Sequence, residues 1–437
     1  MVTISRLVRL VIPLALCWMA SLTGCSVFYS HVKTGTPDDA FITYWPPPAG
    51  SAGRVRLAVK DLIDVKGVVS TAGSEYISQH NIPAPRDAQC LRGARAANAL
   101  LVGKTNLSEL AVAPSGLNRY FGVPRNPINR RINLIPGGSS SGSAVAVADG
   151  LADVAFGTDT AGSIRVPAAC CGVVGLKTTF DLIPLKGVFP IEPQYLDTVG
   201  PLGKDIAHTV TGMDLLKPGF TQKYQEAVRA NPSAHDIRIG RLYLDGTDPK
   251  IDQAVDESLH KAGFKVVRLD DGFKAAWVQA ERDGTAVAAG GAWLNDHYWM
   301  GKPGVTARTK AVLALGAITY TTTYGPALSR QVQWKHALRK VFRNVDFVAL
   351  PTLNAVPPRV PPFQGSPLFE TRILGLENTV AVNFAGNPAL AVPIPLKDKR
   401  VPLTSLQLVG PPRQEAALLN AGRLVEASRA GAPSNLQ

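Results

Sequence analysis

The chain has 437 residues, 46% of them hydrophobic and 18% charged, which excludes a disordered polymer and leaves ample apolar surface for a core. Its 40 glycines and 34 prolines follow no collagen-like period. Its 46 Lys+Arg against 33 Asp+Glu give a formal +13, which names no partner. A fibre, a coiled coil and a multi-pass membrane protein are all excluded.

In chain order, residues 1–24 read as an export signal. Arg6 and Arg9 supply a basic start, and Leu10–Leu22 is apolar apart from Pro13 and Ser21, too short and wrongly flanked for a good transmembrane helix. The segment ends in Leu22-Thr23-Gly24-Cys25, which resembles the bacterial lipoprotein processing box. That resemblance implies a lipid on Cys25, so the chain would be anchored to a membrane rather than span it. Ser26 favours the outer membrane, facing the periplasm. An ordinary secretory signal with an incidental cysteine is the alternative. Residues 25–53 carry Pro46-Pro47-Pro48 and read as a tether, leaving a catalytic domain over 54–437.

Arg54 to Val59 has the alternation of a strand, and Asp87 to Leu101 reads as an Ala-rich helix. Residues 115–142 are rich in Gly, Pro, Asn and Ser and read as loop. Ser143–Ala148 reads as a buried helix and Val154–Phe156 as a short strand. A strand–helix–strand unit is expected around Arg238–Leu244, Asp252–Lys261 and Lys265–Leu269. A long helix is expected over Ala327–Asn344, with Leu328, Val332, Leu338, Val341 and Phe342 on its apolar stripe, then strands at Phe347–Leu350 and Ala389–Val392. Short strands alternating with helices predict α/β architecture.

With Cys17 and Cys25 assigned to export, Cys90, Cys170 and Cys171 remain. The adjacent pair lacks metal-ligand spacing and has no histidine beside it, so buried small side chains are expected and no metal. His297 to Val345 holds eight Lys/Arg and no Asp/Glu. It reads as a solvated helix face, with an anionic lipid or wall polymer as the alternative.

The chemistry concentrates in Pro136-Gly137-Gly138-Ser139-Ser140-Ser141-Gly142-Ser143 and in Gly157-Thr158-Asp159-Thr160-Ala161-Gly162-Ser163-Ile164-Arg165-Val166-Pro167. Glycines beside small hydroxyls let the backbone approach a substrate closely, and a serine after Thr-Ala-Gly suits a turn whose N–H groups converge on one point. Acyl transfer needs such a nest for its oxyanion. A polar loop between elements is the alternative.

Other motifs fit less well. Gly138-Ser139-Ser140-Ser141-Gly142 matches the nucleophile elbow of α/β-hydrolases, with Ser140 as nucleophile, but the residues before it are not strand-like. Ser258, Lys261 and Lys33-Thr34-Gly35 match fragments of penicillin-interacting enzymes in the wrong order. No phosphate-cradling loop occurs, so no nucleotide cofactor and no nucleic acid are implied. None of the seven histidines (His31, His80, His208, His235, His260, His297 and His336) sits in a Gly-rich or turn-forming motif, so another base must serve a serine.

These two segments closely resemble the amidase signature family. So do Ala58-Val59-Lys60-Asp61, Gly103-Lys104-Thr105-Asn106, Gly172–Lys177, Asp197–Pro201, Leu350-Pro351-Thr352 and Asn383–Pro388, all in family order between about Arg54 and Ala427. The resemblance implies a single α/β/α domain around a large mixed sheet and a Ser–Ser–Lys relay without cofactors. Ser163 matches the nucleophile, Ser139 the bridging serine preceded by a cis peptide at Gly138, and Lys60 the base. Ser139 and Ser163 stand 163 − 139 = 24 residues apart, as in the family pattern. The backbone N–H groups of Thr160, Ala161, Gly162 and Ser163 would form the oxyanion hole.

From pattern alone, Lys60 shares a strand face with Arg56 and Ala58 and would be solvated; the resemblance overturns that. Asp159 and Arg165 read as a structural network around the nucleophile turn, and Asn106 and Asn383 as loop-fixing residues. Thr178-Thr179 replaces the usual Pro-Thr, and Asn387 an aliphatic residue. The expected substrate is a small linear carboxamide cleaved at its C–N bond. An inactive envelope-binding lipoprotein with this fold, or a carboxylesterase, is the alternative.

Overall fold

The computed structural model describes residues 36–362 and 366–429. The expected export signal, Cys25, His31 and Lys33 lie outside them.

Eleven strands form one mixed sheet: β1 (Phe41–Tyr44), β2 (Arg56–Lys60), β3 (Leu100–Thr105), β4 (Val154–Asp159), β5 (Val174–Lys177), β6 (Thr198–Gly203), β7 (Arg238–Arg241), β8 (Lys265–Arg268), β9 (Phe347–Pro351), β10 (Ala389–Pro395) and β11 (Leu403–Val409). Their order across the sheet is β1-β3-β2-β4-β6-β5-β10-β11-β9-β7-β8. β2 runs parallel to β3 and β4, and β7 parallel to β8 and β9, while the centre is antiparallel. Helices cover both faces, which is the expected α/β architecture.

Alternation along β2 decides what happens at the site. Leu57 and Val59 join Val154, Phe156, Leu176 and Val199 in the core on one face. Ala58 faces the other way, into a cluster with Ala144, Val147, Ile164 and Ala168 from the helices Ser141–Ala148 and Arg165–Cys171. Side chains two apart on a strand share a face. Lys60 therefore lies on the face roofed by the two helices that follow the serine-rich segments. It is fully buried, which corrects the solvated position that pattern alone predicts.

The expected tether of 25–53 needs correction over its last part. Phe41–Tyr44 is an edge strand antiparallel to β3, and Phe41 is fully buried. The backbone is drawn in further at Ala40, whose carbonyl accepts from Asn106 N at 2.9 Å. A Cβ on Gly142 would lie 2.2 Å from that carbonyl oxygen, so only glycine fits there.

Three other expectations shift. The Ala-rich helix shrinks to Arg92–Ala96, because Leu100 and Leu101 already pair in the sheet. The long helix runs Gly325–Val341; of the expected stripe Leu338 is buried and Leu328, Val341 and Phe342 pack against the same core, joined by Ala327, Gln331 and Trp334, while Val332 is 68% exposed. In the basic stretch Arg308 is not solvated: it is buried against Glu370 at 3.0 Å. The helix Asp271–Asp296 carries no clean apolar stripe and escapes sequence reading. Among the described residues, no helix is long and apolar enough to cross a membrane.

Candidate active site

Lys60 Nζ donates to Ser139 Oγ at 2.7 Å and to Thr158 Oγ1 at 2.8 Å. All three side chains are buried. Burial pushes the lysine down to about 7, opposed by the negative charges of Asp159 and Asp197. A lysine in this position is neutral for part of the time near neutral pH, as a proton acceptor must be.

Ser139 precedes the helix Ser141–Ala148, and its peptide with Gly138 is cis. The loop leading to it is tied down on all sides. Gly138 N donates to Pro114 O at 2.6 Å, and Ser108 Oγ donates to Ala113 O at 2.7 Å. A Cβ on Gly137 would meet Cys170 Sγ at 2.8 Å, and Cys171 Sγ donates to Pro136 O at 3.3 Å. The paired cysteines thus act as small buried packing groups under the serine loop. They and Cys90 are free thiols, and burial raises all three, Cys90 to about 12.

Ser163 sits in the turn after β4, one residue before Ile164. Its carbonyl accepts from Ser140 N at 3.2 Å, which joins the two serine segments at backbone level. Its side chain is half-buried and, among the described residues, has no hydrogen-bond partner. The amides of Ala161, Gly162 and Ser163 donate to no backbone carbonyl among the described residues. Gly162 has φ +140°, and a Cβ there would lie 2.2 Å from Thr379 Oγ1, whose hydroxyl donates to Ala161 O. The turn is therefore closed by glycine and held open toward its N–H side.

A buried network fixes this turn. Asp159 accepts Arg165 Nε at 3.0 Å and Nη2 at 2.9 Å, Asn383 Nδ2 at 2.8 Å and the Ile164 amide at 3.1 Å. Arg165 also donates to Thr379 O at 2.9 Å, Gln407 Oε1 at 2.7 Å and Asn383 Oδ1. All five guanidinium N–H groups are thus used. Burial alone would raise Asp159, but the Arg165 charge and hydrogen bonds overcome it and hold the carboxyl at about 2. This is the structural network expected for Asp159 and Arg165. Asp197 completes the other side: Thr160 Oγ1 donates to it at 2.7 Å, and the amides of Ile191 and Glu192 at 2.9 and 3.0 Å. Asn106 fixes loops as expected, donating to Asp39 O and Gly122 O, each at 3.0 Å.

Two motifs meet in one ion pair: Lys104 Nζ lies 2.7 Å from Asp61 Oδ1, both fully buried. The elbow reading of Ser140 lacks its strand, and Ser140 Oγ is buried, donating to Thr158 O at 3.3 Å. Ser258 and Lys261 belong to the helix Pro249–Ala262, on another part of the fold. Sequence reasoning passed over Thr158, although its place in β4, beside β2, puts it within reach of Lys60. Thr379 and Gln407 had no local signal at all.

A family model for amidases matches residues 54–419. A glutamyl-tRNA(Gln) amidotransferase chain of Clostridium acetobutylicum is 30% identical over 421 residues, covering 87% of this chain and 86% of its own. The 2-amino-5-chloromuconic acid deaminase of Comamonas testosteroni is 32% identical over 391 residues, covering 85% and 80%. A solved amidase structure superposes with a TM-score of 0.70 at 26% identity, covering 85% of this chain and 84% of its own. The chain belongs to the amidase signature family, as a hydrolase acting on carbon–nitrogen bonds.

Proposed function

We propose that the protein hydrolyses a small linear carboxamide through an acyl-enzyme on Ser163, with Ser139 and Lys60 as its proton relay. The observation that carries this is the buried Lys60 Nζ–Ser139 Oγ hydrogen bond of 2.7 Å. Ser163 Oγ attacks the amide carbon while its proton passes to Ser139 Oγ and the Ser139 proton passes to neutral Lys60. The carbonyl π electrons move to oxygen, where the N–H groups of Thr160, Ala161, Gly162 and Ser163 receive the charge. Collapse breaks the C–N bond, and the proton returns from Lys60 through Ser139 to the leaving nitrogen. Water then repeats the sequence on the ester and frees Ser163. No step calls on a cofactor.

Ser163→Ala is expected to lower kcat by at least about 10⁴-fold and to abolish covalent labelling by a fluorophosphonate. Peptide mapping of the labelled protein checks it. A label on Ser140, or full activity in the variant, would sink the assignment. Absence of both turnover and label in the unmodified protein would favour an inactive binding protein instead. Turnover of esters alone would make it a carboxylesterase.

We also propose that the chain is exported and anchored by a lipid on Cys25, a reading supported by Arg6, Arg9 and Leu22-Thr23-Gly24-Cys25. An exported enzyme would not meet charged tRNA, which favours a small-molecule amide over the substrate of the amidotransferase relatives. Cys25→Ser is expected to move the protein from the detergent phase to the aqueous phase on partitioning. Unchanged partitioning would count against the anchor.

A further inference from the structure

The last turn of the helix Asp271–Asp296 holds an unpaired acid, next to a residue that is tied to the nucleophile turn. Asp296 is fully buried, and neither of its carboxylate oxygens has a hydrogen-bond partner among the described residues. No ion pair reaches it within those residues either. A buried carboxyl without partners is costly, and native structures keep one where a ligand or another group completes it.

Three hydrogen bonds connect this turn to the nucleophile turn. Asn295 Nδ2 donates to Ile191 O at 2.9 Å, Ile191 N donates to Asp197 at 2.9 Å, and Thr160 Oγ1 donates to Asp197 at 2.7 Å. Glu192 and Asp197 belong to the segment that Asn295 holds. Glu192 is buried and pushed up to about 7 by burial, although Tyr324 OH donates to it at 2.8 Å. Burial and then the neighbouring Asp197 also raise Asp296 well above the ordinary carboxyl range. Asp197 has its lone pairs filled by two amides and a hydroxyl, and Glu192 by Tyr324. Asp296 alone among the three has no hydrogen bond to either oxygen among the described residues.

We propose that Asp296 is a substrate-recognition residue that accepts the N–H groups of a primary ammonium on the substrate, selecting amino-bearing carboxamides for cleavage at Ser163. This rests on the reading of the site as an amidase, and it names a substrate class within it. A charge-assisted bond to a desolvated carboxylate discriminates strongly against a substrate that lacks the donor.

The test compares ω-amino-alkanamides with unsubstituted alkanamides of equal chain length. In the unmodified protein, the best amino substrate should exceed its neutral partner in kcat/KM by about tenfold or more. In Asp296→Asn that ratio should fall close to one. A ratio unchanged by the substitution, or no preference at the outset, overturns the proposal. If the variant does not fold, the unmodified protein still decides. Primary alkylammonium ions should slow fluorophosphonate labelling of Ser163, whereas alcohols of equal length should not; equal effects overturn the proposal. Turnover of neutral amides without any amine preference defeats Asp296 recognition and leaves the amidase reading standing. Absence of both turnover and labelling defeats both.

Discussion

Lys60→Ala should lower kcat/KM for amide hydrolysis by about 10²- to 10⁴-fold, because it removes the only buried amine in contact with Ser139 among the described residues. The unmodified protein should also show an acid limb. A lysine accepts a proton only when neutral, and burial holds Lys60 at about 7. Activity is therefore present above that pH and lost as the pH falls through it. In Lys60→Ala the residual rate should show no limb there. Lys60→Arg should fail to recover even in alkali, since guanidinium does not lose its proton in proteins. A log kcat/KM profile measured across neutrality checks each point. A flat profile in the unmodified protein would remove Lys60 from the relay.

The second large effect concerns stability. Arg165→Leu leaves the Asp159 carboxylate buried without its main partner, and should destabilise the fold by about 3–5 kcal/mol. Arg165→Lys should be nearly as harmful, because one ammonium cannot replace five N–H groups spread over Asp159, Thr379, Asn383 and Gln407. Adding Asp159→Leu to Arg165→Leu should recover part of the loss, since no buried charge then remains unpaired. Urea midpoints for the unmodified protein, Arg165→Leu, Asp159→Leu and the double variant close this cycle. A loss below about 1 kcal/mol for Arg165→Leu would mean the pair behaves like a surface ion pair. The Asp159 carboxyl, held at about 2, adds stability at every pH above the ordinary aspartate range and loses it only as pH falls through that value.

The strands around the relay are legible in the sequence because they are short and either alternate, as β2 does, or form brief apolar runs, as β4, β9 and β10 do. Lys60, Ser139 and Ser163 are legible only as a family pattern. No periodicity says that Lys60 is buried, since its burial depends on two helices that begin much later in the chain, at Ser141 and Arg165. β1 is hidden because four residues next to a proline run look like linker, and their order comes from pairing with β3. On the helix Gly325–Val341 only Val332 is misplaced in the stripe, because Gln331 and Trp334 take the buried face beside Phe384 and Ala381, donating to their backbone carbonyls at 2.9 and 2.8 Å. Asp296 has no sequence signal: an aspartate near a helix end reads as solvated, and only the fold reveals that both its oxygens are stranded.

The span of the Arg165 network bears on how the protein is made. Lys60, Ser139 and Ser163 all leave the ribosome in the first part of the chain, yet the turn that presents Ser163 is clamped by residues 214 to 242 positions further on. β5, just behind that turn, also waits for β10 to pair with it. Contacts this distant form late. A nascent chain, or a fragment cut before Thr379, thus holds every group of the relay without the frame that aims them. With the proposed relay, hydrolytic competence is expected only once Thr379, Asn383 and Gln407 have closed on Arg165.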